Sequence, residues 1–242
     1  MSRIFRMIVA KSTEVALSFS RLLARFRGPI EIGTPTVKVN LGAGLAVAPG
    51  WVNVDGSFNA LLANFPSLFH RLAYRLSGAN RYYSQQEYLN ILGKNRFVFA
   101  DLAKACPFKN ESVDAMFSSH FLEHLRPFEA QNLLKQCFSA LKPGGILRIA
   151  VPDLVYAISL YPSAKKEMLD RFFFVDDEAN EFSRHKYMYD FDILREILEK
   201  IGFVDISKKA YHKGDCPDIT ELDNRPDESL FVECRKPMNR VR

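Results

Sequence analysis

The run Val37-Lys-Val-Asn-Leu41, closed by Gly42-Ala-Gly44, is followed closely by Trp51-Val-Asn-Val-Asp55. Short β-branched runs bounded by glycine read as strands, and glycine at a strand exit lets backbone approach a ligand. Phe97-Val-Phe-Ala-Asp101 and Val113-Asp-Ala-Met-Phe-Ser118 repeat the pattern, so four strands are expected by residue 118. Pro127 suits the first turn of a helix whose apolar stripe is Leu133, Leu134, Cys137, Phe138 and Leu141, with Lys142-Pro-Gly-Gly145 as its stop. A fifth strand is expected from Ile146 to Val151. After it comes a helix capped by Asp192, with Leu194, Ile197, Leu198 and Ile201 on one face and Gly202 as its stop, and then strands near 204–210 and 229–234. Strands and helices in alternation predict an α/β fold, a mostly parallel sheet with ligands outside the carboxyl ends of its strands.

Two stretches exceed a minimal fold of this kind. Residues 56–96 form an insertion holding Phe58, Phe65, Phe69, Tyr74, Tyr82, Tyr83 and Tyr88, with Phe65, Leu68, Phe69, Leu72 and Leu76 at helical spacing. Residues 152–190 lie beside the expected ligand edge. Conversely, about ten residues join the first two strands, too few for a full crossover helix, so a truncated first helix is expected.

The composition is globular: 242 residues, 48% hydrophobic and 25% charged, with no apolar run long enough to span a membrane. Cys106, Cys137, Cys216 and Cys234 show neither paired C-x-x-C spacing nor scaffold density, which argues against a zinc site or disulfides and for a reducing, cytoplasmic location. The net charge of +5 sits in residues 1–30, where Arg3, Arg6, Lys11, Arg21, Arg25 and Arg27 face Glu14 alone, 6 minus 1. The remainder is balanced, so nucleic acid is not the expected partner. From Val15 to Phe26 that basic segment reads as an amphipathic helix. Docking onto the sheet domain, peripheral contact with an anionic membrane through residues 1–30, and organelle targeting are its three readings. The expected division is a basic helical extension over 1–36 and one domain over 37–236.

Gly42 and Gly44 with Asp55 suit a nucleotide, since an acid at the second strand tip can accept ribose hydroxyls. A nicotinamide fingerprint needs G-x-G-x-x-G and an acid about 20 residues on. Here the third position is Val47 and Asp55 comes 13 after Gly42, which weakens an NAD-dependent oxidoreductase.

Val39-Asn-Leu-Gly-Ala-Gly44, Pro49-Gly-Trp-Val-Asn-Val-Asp55, Ala100-Asp-Leu102 with Pro107-Phe108, Ser112-Val-Asp114 with Ser118-Ser-His-Phe-Leu-Glu-His-Leu125, and Leu141-Lys-Pro-Gly-Gly-Ile-Leu-Arg148 stand in order along the chain. Together they resemble the class I S-adenosylmethionine-dependent methyltransferases. The likeness looks closest to bacterial members associated with surface-polysaccharide genes, whose C-terminal half carries the pattern seen here as His185-Lys-Tyr-Met-Tyr-Asp190, Gly202-Phe203 and Pro226-Asp-Glu-Ser-Leu230. It covers about residues 37–236 and implies a Rossmann-like fold, a mostly parallel seven-stranded sheet with helices on both faces, and S-adenosylmethionine as cofactor. By position, the resemblance implies that Gly42, Ala43 and Gly44 meet the methionine part, Asp55 the ribose, Asp101 and Leu102 the adenine, with Gly56 and Ser119 also on the cofactor side. Asn40 departs from the pattern, since many class members have an acid there.

The implied activity is methyl transfer to a small-molecule or glycan acceptor at oxygen, with nitrogen as the alternative. An idle cofactor- or partner-binding fold is the rival reading. His120 follows the fourth strand directly and is the first candidate base, since imidazole exchanges protons near neutrality. Its competing reading is a strand-end hydrogen-bonding residue. Glu123 and His124 either meet substrate or order the start of the next helix, the latter favoured because acids suit helix N-termini. His185, Tyr187, Tyr189 and Asp190 form a group suited to acceptor contacts, with His185 a second catalytic candidate. The competing reading has Asp190 or Asp192 capping the helix and the tyrosines packing on the sheet. Residues 211–228 carry a charge of 2 minus 6, or −4, and are expected as a solvated acidic loop; no metal site is expected.

Overall fold

Val39, Leu41, Val52 and Val54 alternate with Lys38, Asn40, Trp51 and Asn53, so each of the first two strands presents an apolar face and a mixed one. In the computed structural model, which describes residues 29–173 and 184–238, this alternation runs through one seven-stranded sheet. Its strands are β1 (Lys38–Leu41), β2 (Trp51–Asp55), β3 (Arg96–Phe99), β4 (Val113–Ser119), β5 (Leu141–Pro152), β6 (Val204–Lys209) and β7 (Ser229–Arg235). The order is β3-β2-β1-β4-β5-β7-β6, with β7 antiparallel to β5 and β6 and the other pairs parallel. The described helices are α1 (Phe58–Leu62), α2 (Ser67–Leu76), α3 (Gln85–Lys94), α4 (Pro127–Ala140), α5 (Leu154–Ser159), α6 (Lys165–Met168), α7 (Phe191–Ile201) and α8 (Ile219–Leu222). No helix among the described residues is long and apolar enough to cross a membrane. The helix expected from Val15 lies outside the described residues.

The apolar face carries Val39, Leu41, Val52, Val54, Met116, Leu147, Ile149 and Val151 into the main core with Leu133, Leu134 and Cys137 of α4 and Leu194 and Leu198 of α7. Asp190, not Asp192, caps α7 by accepting from the Ile193 amide at 2.8 Å. Gly202, at φ 111°, ends that helix as expected. The strand expected from Ile146 begins at Leu141: Lys142–Gly145 are absorbed as an irregularity in the β4–β5 register, and Lys142 Nζ holds both Asp114 oxygens at 2.8 Å.

The opposite face is mixed and is covered differently. Residues 42–50 contain no helix, so the truncated first helix expected there is absent. The insertion fills its place: Ala60, Ala73, Ala79, Tyr88 and Leu92 form a second core with Phe97 of β3, against which Leu45 and Val47 of the short connection pack. Asn40 explains the short route. Fully buried, its side-chain amide donates to the Ala46 carbonyl at 2.8 Å and to Asn53 Oδ1 at 3.1 Å, stitching the connection to β1 and β2. An acid here would aim an acceptor at the Ala46 carbonyl oxygen. Asn40→Asp should therefore lower stability by about 1–3 kcal/mol, read as a fall in the urea midpoint with unchanged slope.

Residues 211–228 cover the same face over β4, β5 and β7, and they are not simply a solvated loop. Cys216, Ile219 and Leu222 pack on Trp51, Ala115, Phe117 and Ile146, while Asp223 and Glu228 are buried. Asp218 pairs with Lys38, which chiefly holds its carboxyl below the ordinary aspartate value, and it also accepts from Trp51 Nε1 at 2.8 Å.

Candidate active site

The carboxyl ends of β1, β2, β3 and β4 meet along one edge. Leaving β1, the chain turns at Gly42 (φ 65°) and Gly44 (φ 53°), both left-handed, and the Gly42 and Ala43 amides donate to the Val54 carbonyl at 2.8 and 3.3 Å. A Cβ on Gly42 would lie 2.1 Å from the Phe121 ring, whereas one on Gly44 would meet nothing within 4 Å. Gly44 thus borders open space, as a backbone surface approached by a ligand does. Asp55 ends β2 with its carboxylate oriented by two amides, Gly44 N on Oδ2 at 2.9 Å and Ser57 N on Oδ1 at 2.7 Å. Gly56 lies between these two anchor points. Each oxygen keeps acceptor capacity for a ribose hydroxyl. Asp101, just past β3, pairs with Lys104 at 2.7 Å, and Leu102 beside it is buried, giving the polar and apolar neighbours an adenine needs. These residues fit S-adenosylmethionine: an open glycine backbone, an oriented carboxylate and an acid–apolar pair stand at three successive strand tips.

At the tip of β4, Ser119 Oγ donates to Asn224 Oδ1 at 3.3 Å. His120 takes φ 48°, a strained value for a non-glycine residue, with its amide donating to the Ala150 carbonyl at 2.9 Å. Ser229 fixes its tautomer. The Ser229 hydroxyl spends its only proton on the Arg225 carbonyl at 2.8 Å, so at 2.8 Å from His120 Nε2 it must accept, and Nε2 carries the proton. His120 Nδ1 is left with a lone pair, 3.4 Å from Arg225 Nη1 and 3.4 Å from Glu123 Oε1. The His120 side chain is 8% exposed, and the Arg225 side chain over it is 57% exposed.

Glu123 lies in a 3-10 turn (Leu122–His124), and it does not order the next helix as expected. At the start of α4 it is Glu129 that accepts from the Arg126 amide, at 2.8 Å. Glu123 instead has 0% side-chain exposure, and neither of its oxygens has a hydrogen-bond partner among the described residues. Its main-chain carbonyl accepts from the Lys186 and Tyr187 amides at 2.7 and 3.2 Å, which draws 184–190 onto the turn. The rings of His124 and His185 consequently lie 5.1 Å apart. Burial is the main cause that holds the His185 imidazole below its ordinary value, opposed by its hydrogen bond to the Phe172 carbonyl and by the Glu123 charge. Tyr189 is buried, its hydroxyl unpartnered among the described residues and pushed well up, first by burial and then by Glu123, while Tyr187 packs on its ring and is partly exposed. Both readings of this group therefore hold in part: Asp190 caps and Tyr189 packs, yet the side chains also converge on Glu123.

The structure therefore gathers His120, Glu123, His124, His185, Tyr187 and Tyr189 beside the glycine turn, linked through Phe121 on Gly42. Sequence reading missed four participants. Phe121, Asn224, Arg225 and Ser229 were given no role, although Phe121 stands inside the Ser118-Ser-His-Phe-Leu-Glu-His-Leu125 block and Ser229 inside the Pro226-Asp-Glu-Ser-Leu230 block. The antiparallel return of β7 beside β5 brings Asn224, Arg225 and Ser229 to the β4 tip, whereas Phe121 follows β4 directly.

Comparison with known proteins gives one family match: residues 58–149 match the model described as a methyltransferase domain. The match begins after β2 and so covers the β3 to β5 part of the site. No curated protein matches the chain. Among solved structures, an S-adenosylmethionine-dependent methyltransferase from Archaeoglobus fulgidus is 17% identical at a TM-score of 0.49, covering 93% of this chain and 94% of that one. A complex of the Haloferax volcanii Trm112 methyltransferase activator with a methyltransferase gives 18% identity and a TM-score of 0.49, covering 96% and 95%. At these values neither contributes to the reading of the acceptor.

Proposed function

We propose that this chain, a class I S-adenosylmethionine-dependent methyltransferase, methylates a hydroxyl oxygen of a small-molecule or glycan acceptor, with residues 37–236 as the catalytic unit. The observation that carries the oxygen assignment is the fixed tautomer of His120. A hydroxyl must lose its proton as it is alkylated, and His120 Nδ1 presents a lone pair at the β4 tip while Ser229 holds the other ring nitrogen protonated. The bound cofactor supplies an activated methyl group on sulfur, open to in-line displacement. The chain's own work is then alignment and proton handling. Asp55 and the Gly42–Gly44 backbone seat the donor, Asp101 and Leu102 receive the adenine, and alignment alone can supply about 7 kcal/mol of the barrier in favourable cases.

His120 takes the acceptor proton at Nδ1, and Glu123, 3.4 Å away, offsets the charge that forms. Arg225 covers that nitrogen at 3.4 Å and is exposed enough to be displaced by an acceptor. His185 and the partly exposed Tyr187 contact the acceptor on the far side of Glu123, with the buried Tyr189 ring packed behind Tyr187. The glycan suggestion is supported by the sequence resemblance alone.

Calorimetry tests the cofactor half of this proposal. S-adenosylmethionine or its demethylated product should bind the full chain, and Asp55→Ala should weaken binding by about 1–3 kcal/mol, roughly 5- to 150-fold in Kd, because ribose hydroxyls lose a charged acceptor. Absence of heat at millimolar cofactor, with NAD binding instead, would overturn the assignment. Turnover of amine acceptors but no alcohol would move the acceptor atom to nitrogen.

A further inference from the structure

We propose that Glu123, His124 and His185 bind one divalent transition-metal ion, zinc foremost, with a coordination position left open. One candidate ligand atom from each lies within 4.8 Å of the others. Three features point to a cation. The first is Glu123 itself, whose side chain is wholly buried with both oxygens unpartnered among the described residues. A carboxylate removed from water without donors is costly unless a cation meets it.

The second feature is the orientation of the two imidazoles. His124 Nδ1 lies 3.2 Å from the Arg184 carbonyl, and His185 Nδ1 lies 2.8 Å from the Phe172 carbonyl. A carbonyl only accepts, so each Nδ1 carries a proton and each neutral ring keeps its lone pair on Nε2. His124 Nε2 stands 3.9 Å from Glu123 Oε1, beyond hydrogen-bond length. An Nδ1 proton held by a backbone carbonyl is the arrangement that orients metal-ligating histidines.

The third feature is that no neighbouring side chain among the described residues donates a hydrogen bond to Glu123. The nearest further imidazole, His120, turns its lone pair toward Glu123 by the Ser229 argument, and the Tyr189 hydroxyl, buried nearby, has no partner among those residues. Among the described residues no hydrogen bond is donated to either Glu123 oxygen, and the Arg225 guanidinium is directed at His120 Nδ1 instead. Two imidazoles and a carboxylate suit zinc or another first-row transition ion rather than calcium or magnesium, and three protein ligands with a vacant position are the pattern of a reactive site. Tetrahedral ligands stand about 3.3 Å apart at zinc distances, so the trio must close by roughly 1 to 1.5 Å at its widest.

Neither a cysteine nor the acidic loop 211–228 supplies a ligand to this trio. Glu123 and His124 are adjacent, and His185 comes from beyond α6, brought in by the bonds from the Lys186 and Tyr187 amides to the Glu123 carbonyl. The ion's binding does not depend on the acceptor. Its use, holding an acceptor oxygen one turn beyond the β4 tip, rests on the hydroxyl reading above.

The test uses the full chain, stripped with a chelator and titrated with zinc alone, without cofactor or acceptor. One ion per chain is expected, with Glu123→Gln and His185→Ala each weakening binding about 100-fold or more while circular dichroism and cofactor affinity stay close to those of the unmutated chain. Should either variant unfold, cobalt added to the unmutated chain decides: visible bands of a low-coordinate nitrogen–oxygen site support the proposal. No zinc heat, zinc affinity unchanged in both variants, or a thiolate-to-cobalt charge-transfer band that puts the ion on cysteine would each overturn it. Cofactor retention is measured separately, so a failed metal site and a failed methyltransferase reading give different results.

Discussion

Arg148→Ala should destabilise the protein by about 3–5 kcal/mol, the largest stability effect expected of any single substitution considered. Arg148 sits mid-strand in β5 on the mixed face, with 0% side-chain exposure. Its Nε and Nη2 donate to Asp223 at 2.8 and 2.6 Å, and its Nη1 donates to Glu233 at 2.9 Å. The remaining donors reach the Lys213 and Ala210 carbonyls at 3.1 and 3.2 Å, so all five guanidinium protons are used. Removing the cation leaves two buried carboxylates facing each other across a void, which costs far more than the net worth of the ion pairs. A control separates that penalty from lost packing. Arg148→Met combined with Asp223→Asn and Glu233→Gln removes the charges together and should recover much of the loss. Urea midpoints of the three proteins check this, and a cost below about 1 kcal/mol for the alanine variant would mean that the carboxylates regain water when the loop lifts.

The consequence reaches the active site. Asp223 Oδ2 also accepts from the His212 amide at 2.9 Å, and Glu233 accepts from the Asp215 and Cys216 amides at 2.9 and 3.1 Å, so this one side chain anchors both arms of residues 210–223. That segment leads directly into Asn224, Arg225 and Ser229, the partners of Ser119 and His120. The Arg148 variant should therefore lose activity at temperatures where it is still folded.

His120→Ala should lower turnover of a hydroxyl acceptor about 100-fold or more while leaving cofactor affinity nearly unchanged, because it removes the proton acceptor from the transition state and touches neither Asp55 nor the glycine turn. His185→Ala should act mainly on acceptor KM. The measurement is steady-state kcat and KM beside cofactor calorimetry. An unchanged kcat would reduce His120 to the strand-end hydrogen-bonding role, holding Ser229 and Arg225 in place. A matched loss of cofactor affinity would make it a binding residue instead.

Local pattern alone determined the order of the seven strands and the helices α4 and α7. Period-2 alternation at 37–41, 51–55 and 113–118, Pro127 opening α4 and Gly202 closing α7 are short-range signals, set by sterics and by the need to bury one face, and they survive any tertiary arrangement. The motif order likewise marked Gly42, Gly44, Asp55 and Asp101 as neighbours, since parallel strands put their carboxyl ends on one edge. What tertiary structure decided lies on the mixed face and in the returning segments. Nothing local told that residues 42–50 would carry no helix, because the insertion that covers their face is encoded later in the chain. Nor did composition tell that Asp223 and Glu233 are buried, because a carboxylate's exposure depends on a distant Arg148. Glu123 looked like a helix-start acid because acids favour that place. Its burial among His120, His124, His185 and Tyr189 follows from chain returning across the β4 tip, where long-range hydrogen bonds to its carbonyl, and no feature of its own neighbourhood in sequence, set its surroundings.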